Sequence, residues 1–270
     1  MTKCKPYVAP CSASSKMPKF DGTLLPNPTE YRHIVGAMQY VILTRPDIAY
    51  SANQLYQHMH APTSVHLTAA KRVLRYLKGS VDLRLQYRKG SLSITSYCDS
   101  DWAGNPDDRR STTGFGISLG PNLISWLAKK QHVVSRSSTK VEYRSFSLAT
   151  AKVFWLRMLL KELHIRLPSP PTIWCVNSGA LAMASNPVFH ARTKHIEVDV
   201  HFVREKVLNR DIQLHHLSTL DQVADIFTKG HMAARFYFLR NKLMVLLPMG
   251  LQGVLRVNQK INQGISRTTR

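Results

Sequence analysis

The spacing of apolar residues changes within this chain, and the change is the strongest constraint on its fold. Upstream of about Leu92, apolar residues recur every three or four positions, as they do in amphipathic helices. Downstream of Leu92, several short runs alternate apolar and polar residues, which is typical of half-buried strands. The sequence therefore combines a small helical segment with a region that contains a sheet.

The upstream segment predicts three helices. Asn27-Pro28-Thr29-Glu30 is typical of a helix start, and Pro46 suits the first turn of a second helix. Thr63 begins a third helix that ends at Gly79. The downstream region predicts five strands, at 92–102, 113–119, 122–128, 171–177 and 211–217. The helices predicted between or after these strands lie at 139–165, 192–209 and 219–229. This order predicts an α/β fold with a mixed five-stranded sheet and flanking helices.

These patterns divide the chain into four segments. We expect an extended leader rich in Pro, Ser and Lys (1–28), a helical segment (29–88), the α/β domain (91–230), and a basic helix followed by a disordered tail (231–270). The N-terminus lacks the apolar core of a signal peptide, and the longest apolar run (243–251) is interrupted by a proline and a glycine. Four cysteines without CxxC spacing favour a reducing compartment. We therefore expect an intracellular protein with no membrane span.

The charge balance favours a polyanionic partner. The 270 residues include 37 Lys and Arg but only 16 Asp and Glu, which gives a net charge of +21. A surplus of this size is typical of proteins that bind nucleic acid, although solvated lysines would also explain it. On the third predicted helix, four basic residues share one face: Lys71, Arg72, Arg75 and Lys78. Their spacing permits phosphate contacts, and the alternative is an ordinary solvated face.

The few carboxylates are the candidates for chemistry. Asp99 and Asp101 lie two apart in the first strand of the sheet region, so their side chains leave the same face. Glu142 continues the apolar stripe of the long helix, where a charge needs a partner. The alternative for Glu142 is a capping box with Thr139. Asp225 lies between Ala224 and Ile226 in a short predicted helix and, taken alone, indicates only a surface acid.

Several motifs, in order, resemble the C-terminal part of the Pol polyprotein of copia-type LTR retrotransposons. Leu43-Thr-Arg-Pro-Asp-Ile-Ala-Tyr50 and Ala70-Lys-Arg-Val-Leu-Arg-Tyr-Leu-Lys-Gly79 are similar to the segment that follows the polymerase palm. The motifs similar to the ribonuclease H domain are Asp99-Ser-Asp-Trp-Ala-Gly104, Val134-Ser-Arg-Ser-Ser-Thr139, Arg192-Thr-Lys-His-Ile-Glu197 and Ala224-Asp-Ile-Phe-Thr-Lys229. The resemblance implies an RNase H-like domain preceded by a helical remnant of the reverse transcriptase thumb or connection.

In that family, four carboxylates hold two Mg²⁺ ions, which activate water and stabilise the leaving oxygen as the RNA strand of an RNA–DNA hybrid is hydrolysed. By resemblance, Asp99, Glu142 and Asp225 are three of these ligands, and Mn²⁺ is an alternative ion. The fourth belongs to a Trp-Cys-Asp-Asn pattern, which reads Trp174-Cys175-Val176-Asn177 here. Val176 cannot bind a metal, so we expect weak or absent metal binding and impaired catalysis. The resemblance adds further candidates for nucleic-acid contacts: Arg136, Arg192 and Lys194.

Two other features refine this expectation. Lys140 stands where the family usually has an acid, and it adds positive charge near Glu142. The only adjacent aspartates, Asp107 and Asp108, lie in a loop with Pro and Arg, so we expect no reverse transcriptase active site. Two alternatives stay open: an active hybrid nuclease that tolerates Val176, and a translated transposon relic without a selected function.

Overall fold

The structure is a computed structural model of the chain and describes residues 4–13, 16–185 and 196–248. Its N-terminal part is helical, as the apolar spacing predicts. The elements of this part are α1 (Thr29–Val41), a 3-10 turn (Pro46–Ile48), α2 (Ala49–Tyr56), α3 (Ser64–Lys78) and the two-residue strand β1 (Arg84–Leu85). Helix α3 begins and ends where predicted, because Thr63 forms a capping box with His66 and Gly79 is the C-cap.

A mixed five-stranded sheet forms the centre of the remaining structure. Its strands are β2 (Ile94–Ser100), β3 (Thr112–Leu119), β4 (Asn122–Lys130), β5 (Thr172–Cys175) and β6 (Gln213–His216). The order across the sheet is β4-β3-β2-β5-β6. Strand β3 is antiparallel to β2 and β4, whereas β5 is parallel to β2 and β6. The predicted α/β class is confirmed, and β2 lies in the middle of the sheet.

Three helices cover one face of the sheet: α4 (Ser138–Glu162), α5 (Ser178–Ser185) and α6 (Glu197–Leu208). Phe146 and Val153 of α4 pack against Cys98 and Ile173 of the central strands. The sequence did not predict α5, and the predicted helix at 192–209 begins at Glu197, with residues 192–195 outside the described residues. The long helix α4 therefore lies directly over β2, which positions its first turns beside the end of that strand.

Two local predictions are wrong. The capping box between Thr139 and Glu142 does not form, because α4 begins earlier, with Ser137 at the N-cap and no side-chain cap. The helix predicted at 219–229 is two 3-10 turns, Thr219–Asp221 and Val223–Phe227. Gln222 between them is extended (φ −67°, ψ 101°), and its side-chain oxygen accepts the N–H of Ala224. The extended residue prevents one continuous helix.

The opposite face of the sheet is covered by what we call the helical layer, which consists of α1–α3 and a C-terminal helix, α7 (Ala233–Lys242). Tyr31 and Tyr76 of this layer share a buried core with Leu123 of β4 and with Phe227. Strand β7 (Val245–Leu246) pairs with β1 and joins the two ends of the layer. The predicted segments 29–88 and 91–230 therefore share the core on this face of the sheet. Residues 231–248, which the sequence assigned to the last segment, contribute α7 and β7 to the same layer.

The leader packs on α3. Three basic side chains of α3 donate hydrogen bonds to leader carbonyls: Arg72 to Ala9 (3.3 Å), Arg75 to Lys5 (2.7 Å) and Lys78 to Cys4 (3.0 Å). The guanidinium carbons of Arg72 and Arg75 lie 4.6 and 4.1 Å from the centre of the Tyr7 ring. Much of the basic face of α3 is therefore occupied by the chain itself.

Within the described residues, no helix has the length and the apolar character needed to cross a membrane.

Candidate acidic site at the end of the central strand

Asp99 lies near the end of β2 and is buried. Its Oδ2 accepts a hydrogen bond from the hydroxyl of Thr228 and lies 3.7 Å from Nζ of Lys229. Burial raises the pKa of Asp99 above its ordinary value, and the nearby charge of Asp225 acts in the same direction, whereas Lys229 opposes both. The charged form of Asp99 is therefore stabilised by Lys229 and by the hydrogen bond from Thr228.

Asp225 lies in the 3-10 turn Val223–Phe227 and is also buried. Its Oδ1 lies 2.7 Å from Nζ of Lys229, in an ion pair without hydrogen-bond geometry. Its Oδ2 lies 3.5 Å from Nη2 of Arg235. Burial acts to lower the pKa of Lys229, but Asp99 and Asp225 outweigh it, so the pKa is raised. Strand β2 and the segment 225–235 are far apart in the sequence, and together they bring two carboxylates and two cations into contact.

A close approach to β3 holds this turn in place. A Cβ on Gly114 would lie 2.6 Å from the Thr228 side chain and 2.7 Å from that of Phe227, so a larger residue would push the turn away. Gln222 adds a hydrogen bond from its side-chain nitrogen to the carbonyl of Cys98 (2.9 Å). The position of Asp225 therefore follows from the missing side chain at Gly114.

Glu142 points from α4 toward the same strand end. Its Oε2 is buried and accepts no hydrogen bond. Burial raises the pKa of Glu142 to about 9, with a further contribution from Asp99, while a backbone hydrogen bond from Ser100 acts in the opposite direction. The hydroxyl of Ser145 donates to the carbonyl of Asp99 (2.7 Å) and fixes α4 against β2. Glu142 is therefore a half-buried acid with one buried oxygen that has no hydrogen-bond partner.

Val176 directly follows β5. The parallel register ends with the pair Tyr97 and Trp174, and Val176 itself lies in a bend after the strand. The next residue, Asn177, uses its side-chain oxygen to accept the N–H of Ala180 (2.9 Å) at the start of α5. A helix cap, rather than a site ligand, is therefore the role that the structure gives Asn177.

Asp101 has a structural role in the turn after β2. Its Oδ1 accepts the backbone N–H of Thr112. Burial raises the pKa of Asp101 to about 6, although that hydrogen bond acts to lower it. The absence of a side chain at Gly104 lets the Asp101 carboxylate approach the backbone. Asp101 thus joins the ends of β2 and β3.

The carboxylates that the described residues bring to this strand end are those of Asp99, Asp225 and Glu142. Among the described residues, no group of three or more His, Cys, Asp or Glu side chains is arranged to hold a metal. Hard cations such as Mg²⁺ need several oxygen ligands in near-octahedral geometry. Here, the space between Asp99 and Asp225 is approached by an ammonium, and Val176 offers no oxygen.

Sequence reasoning missed Lys229, Arg235 and Thr228, although Lys229 follows Asp225 at the i,i+4 spacing of an ion pair. It also missed Trp102, an exposed residue three positions after Asp99, whose indole N–H donates to the carbonyl of Ser135 (3.1 Å). Of the residues predicted to contact nucleic acid, Lys71, Lys78 and Arg136 are exposed, and Arg72 and Arg75 are half-buried. Arg192 and Lys194 lie outside the described residues.

Two transposon polyproteins are similar to this chain over most of its length. The chain is 46% identical over 259 residues to the "Retrovirus-related Pol polyprotein from transposon RE2" of Arabidopsis thaliana, covering 95% of this chain and 18% of that protein. It is 47% identical over 246 residues to the corresponding polyprotein from transposon RE1 of the same plant, covering 91% of this chain and 17% of that protein.

Among solved structures, LC11-RNase H1 in complex with RNA/DNA hybrid aligns with a TM-score of 0.38 and 14% identity, over 50% of this chain and 94% of that one. No family model matches the chain. The chain thus spans less than a fifth of the length of the two curated relatives described above. It belongs to the retrovirus-related Pol polyproteins of copia-type transposons.

Proposed function

We propose that this RNase H-like domain binds nucleic acid but is impaired as a nuclease. Val176 carries the proposal, because this apolar residue directly follows β5, where the family pattern has an aspartate, and β5 is the parallel neighbour of the strand that contains Asp99. Two divalent ions bring four positive charges, and three carboxylates cannot balance them. We expect a loss of several kcal/mol in transition-state stabilisation, the scale on which metal charge acts.

The electrostatics of the remaining acids support the same proposal. Burial raises the pKa of Glu142 to about 9, and the nearby charge of Asp99 acts in the same direction. Lys229 and Arg235 supply positive charge next to Asp225. We therefore expect Mg²⁺ or Mn²⁺ to bind weakly.

Cleavage of a labelled RNA–DNA hybrid tests this proposal. We expect little cleavage by the wild-type chain in Mg²⁺ or Mn²⁺, and at least a hundredfold more by Val176→Asp, which is about 2.7 kcal/mol. The matched control is Val176→Asn, which has nearly the same shape as the aspartate variant but no charge. A second control, Asp99→Asn combined with Val176→Asp, should lose the gain. Substantial and equal cleavage by wild type and Val176→Asp would show an active nuclease and overturn the proposal.

The binding part of the proposal rests on charge and on exposed groups. The chain carries a net charge of +21, and Lys71 and Arg136 are exposed. Trp102 lies two residues beyond β2 and offers an indole face on which a base can stack. Filter binding to an RNA–DNA hybrid should weaken steeply as salt rises, because each phosphate contact releases a counter-ion. Absence of binding at low salt would favour a relic without a selected function.

A further inference from the structure

Lys229 lies between the two buried carboxylates of the acidic site. Its Nζ is 2.7 Å from Oδ1 of Asp225 and 3.7 Å from Oδ2 of Asp99. Its backbone N–H also donates to the carbonyl of Asp225 (3.1 Å), which keeps the lysine over the turn. The ammonium therefore contacts carboxylates from two segments that are far apart in the sequence.

The local charges balance without a metal. Asp99 and Asp225 contribute two negative charges, and Lys229 and Arg235 contribute two positive ones. Two buried carboxylates this close together would repel each other strongly without cations. Lys229 and Arg235 of the chain itself therefore balance the negative charges of Asp99 and Asp225.

The two cations differ in how firmly they are held. Arg235 also donates to the carbonyls of Leu220 (2.5 Å) and Thr219 (3.3 Å), which fix its guanidinium against the chain. Within the described residues, the ammonium of Lys229 forms ion pairs only with Asp99 and Asp225, and its side chain is 44% exposed. Lys229 can therefore move toward solvent while Arg235 stays in place.

We propose that Lys229 is an internal counter-ion of the acidic site and competes with divalent cations for Asp99 and Asp225. This inference rests on the proposed function, since it concerns the same carboxylates. It makes Lys229 a positioning residue, which keeps the two acids together when no cation is bound and must leave when one binds. It does not depend on Val176 being the cause of weak catalysis.

Calorimetric titration of the full chain with Mn²⁺ tests the competition. We expect Lys229→Met to bind Mn²⁺ about tenfold more tightly than wild type, because a positive charge is removed from the site. Lys229→Arg keeps the charge and should bind like wild type. Lys161→Met, on the exposed last turn of α4, removes the same charge far from the acids and should also bind like wild type. A Mn²⁺ affinity of Lys229→Met within twofold of wild type overturns the proposal.

Two further measurements locate the effect. Adding Asp99→Asn to Lys229→Met should abolish the gain in Mn²⁺ affinity, and a retained gain means that the ion binds elsewhere, which also overturns the proposal. In EDTA, Lys229→Met should melt at a lower temperature than wild type and recover in Mn²⁺. If that variant is unfolded in EDTA, Mn²⁺ should refold it, and failure to refold contradicts the competition.

The titration contains no nucleic acid, so it separates this inference from the proposed nuclease defect. An active wild-type enzyme with a large gain in Mn²⁺ affinity for Lys229→Met would overturn the defect and support the counter-ion. If Val176→Asp restores cleavage while Lys229→Met binds Mn²⁺ as wild type does, the nuclease defect is supported and the counter-ion proposal is overturned.

Discussion

His58 and His66 form a buried stack where α2, α3 and the leader meet. Their ring centroids lie 3.7 Å apart with the planes nearly parallel. His66 takes part in the capping box of α3, and its Nε2 lies 3.1 Å from the carbonyl of Pro18. Burial lowers the pKa of His58 to about 4, and the neighbouring His66 contributes in the same direction. Two stacked imidazoles therefore stay neutral in the folded chain.

This stack predicts a loss of stability in mild acid. The folded pKa of His58 lies below its ordinary value of 6.5, so the folded state binds fewer protons than the unfolded state. The contribution of His58 to stability should be constant above pH 6.5 and fall by about 2 kcal/mol as the pH decreases toward 4, while the raised pKa of Glu142 acts in the opposite direction. Asp107 attenuates the effect and Lys130 strengthens it. Urea unfolding at several pH values measures the slope.

His58→Gln should flatten that pH dependence, whatever its effect on absolute stability. His60→Gln changes an exposed histidine two residues away and is the matched control, which should keep the wild-type slope. Equal slopes for wild type and His58→Gln would contradict the prediction.

Single residues differ in how well the sequence predicts their place. The stripe of α4 correctly predicts that Glu142 faces the core, because helical period alone determines the face. The shift in its pKa was not predictable from helical period, since it depends on burial in the fold and on the nearby charge of Asp99. The hydrogen bonds of Arg72 and Arg75 in α3 were not predictable either, because their partners are backbone carbonyls of the leader.

The turn that carries Asp225 is the element on which the acidic site depends most. It is short, has few hydrogen bonds of its own, and is held by contact with β3 and by Gln222. Because Gly114 has no side chain, Phe227 and Thr228 can approach the backbone of β3. A methyl group there must therefore move the turn or the strand.

Gly114→Ala should destabilise the chain by about 2 kcal/mol, the usual cost of overpacking a tight contact. Gly36→Ala is the matched control, because a Cβ at Gly36 in α1 meets no atom within 4 Å. That control should be neutral or stabilising by about 0.5 kcal/mol, as alanine favours the helix. Denaturant unfolding compares the two. A Gly114→Ala variant as stable as wild type would mean that the turn is not held by this approach.

The elements that the sequence predicted well are those long enough to show a period. All five strands of the main sheet and the long α4 belong to this class. Strands β1 and β7 have two residues each and show no alternation. Helix α5 is short and largely apolar, so no polar face marks it as a helix. The break at Gln222 arises from its contacts with β2 and Ala224 rather than from a local breaker.

For the whole molecule, the helical layer acts as the second cover of the sheet. Residues from both ends of the chain meet there, since β1 pairs with β7 and Tyr76 of α3 contacts Phe236 of α7 edge-on at 5.5 Å. Without this layer, the sheet residues Leu123 and Tyr97 would lose the core they pack against. We therefore propose that the upstream helices and the RNase H-like region fold as one unit, in place of the separate segments predicted from composition and period.

The variant Phe236→Ala tests whether the helical layer and the sheet unfold as one cooperative unit. Phe236 is 3% exposed, and its loss should cost about 3 to 4 kcal/mol, the range for a buried aromatic side chain. Phe238, two residues along the same helix, is 41% exposed, and Phe238→Ala should cost less than about 1 kcal/mol. If the layers form one cooperative unit, Phe236→Ala lowers hydrogen-exchange protection in α1–α3 and in β2–β4 by the same free energy. Protection lost only in α1–α3 and α7, with an unchanged sheet, would instead show two independent units. In that case the acidic site, which lies between Asp99 of the sheet and Asp225 of the turn, would straddle their boundary.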